Sequence, residues 1–448
     1  MSYGGFYMLE KSQDYKVFID ENEIEVRNIR VSAYPINQIY KGYQRPIEQT
    51  EIAGLASFDF DKKVYVTVKS SKKIEIVRIR PEKYGIKPEI IDQNTVGFYV
   101  DKPILCSVEI NDYHSCLHLF ANEKREIPTD CIYYGKGIHN VGVLKLESNS
   151  SVYIEDGAII YGRIEAADVE NISIIGYGII CGSKNEERTT FTKFIRCKNV
   201  HIEGVILCDA CEWCTMFALC TDVTVKNVKL VGMWRYNADG FDIVNSQNVS
   251  IKNCYIRTFD DCIAIKGASG FGDENVSDVE VSGCVAWCDW GRAFEIGAET
   301  CAKKITNITF RDCVVVRTQD VALDIQHTDY AEISNVVFEN IIVEHNDKIH
   351  RPKLQEYDGE IYAVNNDENY YPSLIVLEIK KNMWTTSKDY GTISDITFKN
   401  IKAPGTMGIS LLGANEEYKI SGVSFENISS YDGKHSYYMK NVENISIE

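Results

Sequence analysis

The sequence has no basic surplus, no long apolar run and no cysteine or histidine cluster with metal-ligand spacing. Each absence removes a class of function. Its 48 Lys and Arg stand against 65 Asp and Glu, a net charge of −17. Neither nucleic acid nor an anionic membrane surface is therefore an expected partner. No stretch of about 18 apolar residues occurs, so no membrane-spanning helix is expected. The opening residues, MSYGGFYMLEKSQDYKVF, lack the basic start and apolar core of a secretory leader. With Met1 as the native start this predicts a cytoplasmic protein; a trimmed leader would leave the same sequence. The 15 cysteines are an odd number in a chain far too large for a disulfide scaffold. Cys211 and Cys214 form a lone CxxC without a second pair, so no metal and no cofactor is expected.

What is present divides the chain in two. Residues 1–128 alternate apolar and polar residues in short runs, such as Val64–Val68 and Ile74–Ile79, with turn-rich stretches such as Arg80–Gly85 between them. This pattern predicts an antiparallel β-sandwich-like domain. A less regular stretch, Tyr34–Pro46, reads as a long loop.

From about residue 129 to 448 a short unit recurs: Asn or Asp, then aliphatic, polar, aliphatic, variable, and Asn, Gly or Asp. Copies begin at Asn171, Asn199, Asp222, Asn248, Asp278, Asn307, Asn335, Asp395 and Gly422, with a partial copy at Asn444. Six steps separate Asn171 from Asn335, which gives a period of about 27 residues, in the range of a solenoid. Period-2 alternation within the unit means strands. A second apolar strand precedes most copies (Phe241–Ile243, Ile263–Ile265, Phe294–Ile296, Leu323–Ile325, Leu377–Ile379) and a third follows the turn. Three strands per coil predict an all-β fold, a right-handed parallel β-helix. The closing Asn or Gly suits a left-handed backbone turn. Cys254, Cys284 and Cys313 follow that turn in successive coils and read as a stack of buried thiols. Asn335 to Asp395 is a double period with only one preceding strand. One coil therefore carries an insertion at about 347–372, holding Tyr357, Tyr362, Tyr370 and Tyr371, of the kind that serves binding.

The chemistry is expected where acids gather on neighbouring coils. Asn237-Ala-Asp-Gly240 and Asp260-Asp-Cys-Ile-Ala-Ile265 precede equivalent strands, so Asp239, Asp260 and Asp261 should meet across a coil step of about 4.8 Å. Carboxylates that close raise at least one pKa and place a proton donor beside ionised partners. Glycoside hydrolysis needs that combination.

These two motifs resemble the Asn-Thr-Asp-Gly and Asp-Asp-Cys motifs of polygalacturonases, glycoside hydrolase family 28, and the resemblance covers 129–448. It implies that Asp260 is the general acid, that Asp239 and Asp261 act on the attacking water, and that configuration inverts. Other family motifs differ. The Gly-His-Gly position holds Gly291-Arg-Ala293, and the Arg-Ile-Lys that grips a galacturonate carboxylate falls at Asp324-Ile-Gln326. A β-domain ahead of the coils is also similar to the dextranase and isopullulanase family, glycoside hydrolase family 49, which shares the acidic triad and cleaves neutral α-glucans. The expectation is a glycoside hydrolase acting on a carbohydrate, with a neutral glycan favoured over homogalacturonan.

Position alone adds substrate-binding candidates: Arg292 and Glu295 one coil beyond the acidic pair, Asp324, Gln326 and His327 one further, and Trp234, Tyr236 and Trp290 as stacking rings. Arg45 is a basic residue that could restore a missing charge. Three rival readings stand beside this one: a polygalacturonase acting on pectin, a calcium-dependent pectate lyase with Arg292 as base, and a non-catalytic glycan-binding β-helix. The sugar, its linkage and the oligomeric state are not encoded in these patterns.

Overall fold

The computed structural model describes residues 9–32, 50–185, 187–344 and 370–448. The whole Tyr34–Pro46 stretch, Arg45 included, and Tyr357 and Tyr362 of the insertion lie outside the described residues. The chain from 132 onward forms one sheet of 29 strands wound into coils, in which each strand pairs in parallel with its equivalent one coil on. A coil such as 241–258 has three strands, Phe241–Val244, Gln247–Lys252 and Tyr255–Thr258. This is the parallel β-helix that the repeat predicts.

The register explains the repeat residue by residue. Val223, Val249, Val279, Ile308, Val336 and Ile396 form one in-register column of buried aliphatics. Phe310, Phe338, Phe398 and Phe425 form another, with ring centroids 4.9, 5.0 and 5.3 Å apart and nearly parallel planes. At the closing turn Asn227, Asn253, Gly283, Asp312 and Asn340 all have φ between 52° and 67°. The first residue of each unit is left-handed too, from Asn171 at 58° to Asp395 at 55°, which the pattern did not signal. Its side-chain amide hydrogen-bonds along the stack: Asn199 Nδ2 donates to Asn171 Oδ1 at 2.8 Å, and Asn335 Nδ2 to Asn307 Oδ1 at 2.7 Å. Such rungs satisfy polar groups that a tight turn leaves without backbone partners. Cys254, Cys284 and Cys313 are buried free thiols in successive coils. Phe338 pairs with Phe398, so the sixty residues between them make one coil, and the insertion enters between Glu344 and Ser373.

Two five-stranded sheets make up the N-terminal region. One is wholly antiparallel. The other departs from the antiparallel expectation: Leu117–Glu123 runs parallel to Thr50–Phe60. The chain leaves Phe60, builds strands in both sheets, and returns in the same direction, so no hairpin forces these two strands to oppose. Ile74–Ile79 is also shortened, with the strand confined to Val77–Arg80. There Arg80–Gly85 turns through a single 3₁₀ turn that closes on Gly85 at φ 65°.

This second sheet lies on the third-strand face of the coils. Ile29, Val31, Leu55 and Phe120 pack with Ile206, Val231, Tyr255, Trp287 and Val314. The seam also holds buried charge. Arg80 contacts Glu344 at 3.1 Å and Glu109 at 3.4 Å, and Arg317 reaches Glu109 at 3.5 Å. Arg257 meets His118 at 3.1 Å and Asp289 at 3.3 Å, and His118 meets Tyr255 at 3.0 Å. The N-terminal region is thereby fixed to the coils from Ile206 to Glu344, and the first-strand face is left to the acidic residues.

Glu109 meets two buried arginines, so Glu109→Ala takes a charged partner from each. Removing one partner of a buried pair costs about 3–5 kcal/mol. Urea denaturation should show that loss for Glu109→Ala and almost none for Lys73→Ala, whose pair with Glu75 is exposed on both sides.

Candidate active site

The site is built where the corner after the third strand leads into the first strand of the next coil. Phe241–Val244, Ile263–Gly267, Phe294–Thr300 and Val321–His327 are the consecutive first strands. Phe241, Ile263, Phe294 and Leu323 turn inward as one column, which sends their neighbours Asp242, Ala264, Glu295 and Asp324 to the outer face as another. The preceding corners deliver Asp239, then Asp260 and Asp261, then Arg292. Gly240 N–H donates to the Asp261 carbonyl at 2.8 Å, so Asp239 lies beside the acidic pair, as the motif spacing predicts.

Two glycines let the coils close. A methyl group on Gly240 would stand 2.2 Å from the Cys262 carbonyl oxygen. One on Gly291 would stand 2.6 Å from Asp260 Oδ1 and 2.4 Å from Asp261 Oδ1. Those two oxygens are therefore no more than 5.0 Å apart (2.6 + 2.4). Asp260 and Asp261 keep 8% and 6% of their surface exposed, while Asp239 keeps 2% and Asp242 none. The adjacent pair is what a ligand can touch, and the other two carboxyls sit beneath it.

The adjacent carboxyls are driven apart in charge. Burial, and then the negative charge of Asp261, push Asp260 up to about 8. Burial also raises Asp261, but a hydrogen bond from Glu295, the Arg292 guanidinium and Lys266 outweigh it and hold Asp261 below the ordinary carboxylate range. The Arg292 amide adds a bond to Asp261 Oδ1 at 2.8 Å. At neutral pH Asp260 is a proton donor beside an ionised Asp261, the division of roles that paired-carboxylate hydrolysis requires. Asp239 and Asp242 are raised well above the usual range, first by burial. Glu295 is raised likewise, by burial and then by Asp261.

Two cations hold this cluster together. Lys266 Nζ lies 3.6 Å from Asp239, 3.7 Å from Asp242 and 3.4 Å from Glu299. Burial lowers the Lys266 pKa, but these acids more than offset it, so the ammonium stays charged. Arg292 spans Asp324 at 3.2 Å and Asp320 at 3.1 Å. Asp324 is pushed up to about 7 by burial. Gln326 Nε2 donates to Glu295 Oε1 at 3.1 Å, and its own carbonyl accepts from Asn382 Nδ2 at 2.9 Å. Asp239, Asp260, Asp261, Arg292, Glu295, Asp324 and Gln326 thus come together as the sequence suggests.

Other candidates do not join them. His327 has no exposed surface; Thr300 Oγ1 at 2.7 Å and the Ala331 carbonyl at 3.0 Å engage both ring nitrogens. Burial lowers it to about 4. It is a neutral pin between coils, not a cleft group. Trp234 is buried, with its indole N–H given to Asp209 at 2.8 Å. Tyr236 is buried against Trp290 at 4.8 Å, and Phe259 stands 5.3 Å from Trp290. Only Trp290 of the three proposed stacking rings keeps partial exposure. Sequence reasoning passed over Asp242, Lys266, Glu299, Asp320 and Asn382. Asp242 was legible as the polar residue between two core residues in Phe241-Asp-Ile243, and Lys266 as a charge closing a buried strand. Among the described residues, no group of three or more His, Cys, Asp or Glu is arranged to hold a metal ion.

Residues 165–350 match the model of glycosyl hydrolases family 28. An exopolygalacturonase from Arabidopsis thaliana is 29% identical over 173 residues, 37% of this chain and 39% of that protein. An exopolygalacturonase from Zea mays is 24% identical over 294 residues, 60% of this chain and 64% of its own length. The chain thus spans less than two thirds of the length of these relatives. Among solved structures, Dex49A from Penicillium minioluteum superposes with a TM-score of 0.58 at 13% identity, over 96% of this chain and 95% of that one. An exopolygalacturonase from Thermotoga maritima superposes with a TM-score of 0.52 at 17% identity, over 70% and 83%.

Two measurements test the site. With Asp260 in the proton-donor role that the resemblance implies, kcat/KM should fall as pH rises through about 8. The acid limb, where Asp261 takes up a proton, should lie below the ordinary carboxylate range. An alkaline limb near pH 5 would contradict the assignment. Gly291→Ala forces a methyl between the two carboxyls and should cost about 10²-fold in kcat with the fold intact by circular dichroism. Coils, register and acidic corner together make this chain a polygalacturonase-like parallel β-helix.

Proposed function

We propose that this protein is an inverting glycoside hydrolase that cleaves O-glycosidic bonds of a neutral polysaccharide or oligosaccharide. The observation that carries the reading is the Asp260–Asp261 pair, with carboxyl oxygens within 5.0 Å of each other and proton affinities pushed in opposite directions, and with Asp239 one coil away. Asp260 gives its proton to the glycosidic oxygen as the C1–O bond breaks. Asp261 takes a proton from a water whose oxygen bonds to C1 from the opposite face, and Asp239 orients that water. Inversion of the anomeric configuration is what the resemblance to family 28 implies. Lys266 and Arg292 keep the charges of this cluster in place through the reaction.

The preference for a neutral sugar rests on the cations. A uronate needs a fixed Arg or Lys at its carboxylate. Here the matching positions hold Asp324 and Gln326, and Arg292 is already engaged by Asp320 and Asp324. At an effective dielectric of 20, two like charges 4 Å apart cost about 4 kcal/mol. An acid and an amide suit sugar hydroxyls instead. The relatives named above as exopolygalacturonases supply the competing substrate for the test.

On a panel of plant and bacterial glycans, kcat/KM for a neutral glycan should exceed that for polygalacturonate; a clear preference for polygalacturonate restores pectin as the substrate. Asp260→Asn should lower turnover about 10²–10⁴-fold without unfolding. Retention of more than about a tenth of activity would mean that the general acid lies elsewhere. An unsaturated product that vanishes with chelator would replace hydrolysis by elimination.

A further inference from the structure

We propose that Trp384, with Met383 beside it, forms a sugar-stacking subsite on the C-terminal side of the cleavage point. This rests on the hydrolase reading and extends it to a part of the surface that neither the motifs nor the acidic cluster mark. Met383 is 74% exposed and Trp384 40%. They sit on the segment 380–391 between the strands Ser373–Ile379 and Thr392–Ala403.

That segment is pinned from below. Buried Asp329 accepts from the Thr386 amide at 2.8 Å, the Thr386 hydroxyl at 3.2 Å and the Ser387 amide at 2.8 Å. Lys381 Nζ donates to the carbonyls of Thr328, Ser387 and Asp389 at 3.0, 3.0 and 2.6 Å. At the tip, Asn382 Oδ1 accepts from the Trp384 amide at 2.9 Å, while Asn382 Nδ2 donates to Gln326. Gln326 in turn donates to Glu295. A chain of three hydrogen bonds therefore ties Trp384 to the cluster around Asp261.

The backbone of Trp384 is held in place, and its ring keeps 40% of its surface open to a ligand. The position of the loop in the stack says what that ligand is. Gln326 lies two coils beyond Asp260 and Asp261, roughly 10 Å along the stack. Asn382 is bonded to Gln326, so the loop that carries Trp384 borders that coil, where the next residues of a bound glycan would lie. The C–H face of a pyranose fits the electron-rich face of an indole, and a pre-ordered loop spares the entropy of fixing it on binding. The subsite takes a chain of several sugars, and a disaccharide would not reach it.

The test compares wild type, Trp384→Ala and Trp384→Phe on a length series of the glycan that the wild type cleaves. Trp384→Ala should raise KM on the longer chains roughly three- to tenfold, leave kcat within about twofold, and leave the shortest substrate unaffected; Phe should restore most of the loss. Unchanged kcat/KM at every length overturns the subsite while the hydrolase reading stands, and so does an equal loss at every length, which a purely structural role would give. Should the wild type cleave no glycan, the hydrolase reading falls, and retention on glycan-containing native gels decides the subsite. Weaker retention of Trp384→Ala than of wild type supports it, and equal retention or none by the wild type overturns it.

Discussion

Everything here depends on the parallel backbone ladder, which sets each residue directly over its equivalent one coil on. Strands that repeat at about 4.8 Å cannot shift by one residue without turning the whole core column outward. That constraint stacks Phe310 on Phe338 on Phe398, and it stacks Asp242, Glu295 and Asp324 on the outside just as strictly. A fold that lines up like with like is stabilising for aromatics and amides. For carboxyls it is a problem that the chain must solve with charge.

The solution is two fixed cations and selective protonation. Lys266 and Arg292 reach eight carboxyls between them: by ion pairs Asp239, Asp242 and Glu299 for the lysine and Asp320 and Asp324 for the arginine, and through charge Asp260, Asp261 and Glu295. Eight acids cannot be neutralised by two bases, so protons supply the rest, and burial decides which groups hold them. Asp239, Asp242 and Glu295 are the most enclosed and rise furthest. Asp261 escapes because it receives hydrogen bonds that the others lack. The proton on Asp260 is therefore a product of the whole cluster, not of that residue alone.

Much of this was legible in the sequence. Period-2 runs and a period near 27 residues pointed to the coils, because burial inside a solenoid leaves an alternating trace at every turn. The acidic pair and Asp239 were legible for the same reason: they sit at fixed offsets from recognisable strands. Groups whose role depends on distant contacts were not. His327 looked like a cleft residue by position, yet Thr300 and Ala331 claim its ring. Tyr236 looked like a platform and is wall. Trp384 carried no motif at all, and only the hydrogen bonds of Asn382 connect it to the site. The parallel pairing of Leu117–Glu123 with Thr50–Phe60 was also out of reach, since strand patterns report faces, not direction.

The sixty-residue coil has an implication for how such a protein can change. Its ring stack passes from Phe338 to Phe398 at the same spacing as between ordinary coils. The segment enters after Glu344, which Arg80 clamps from the N-terminal sheets, and rejoins at Ser373 in register with Val321. This corner is the counterpart of those that present Asp260–Asp261 and Arg292 on earlier coils. Chain length at that corner is thus uncoupled from the integrity of the stack. Lineages or engineers can exchange the segment there while the acidic corner keeps its place.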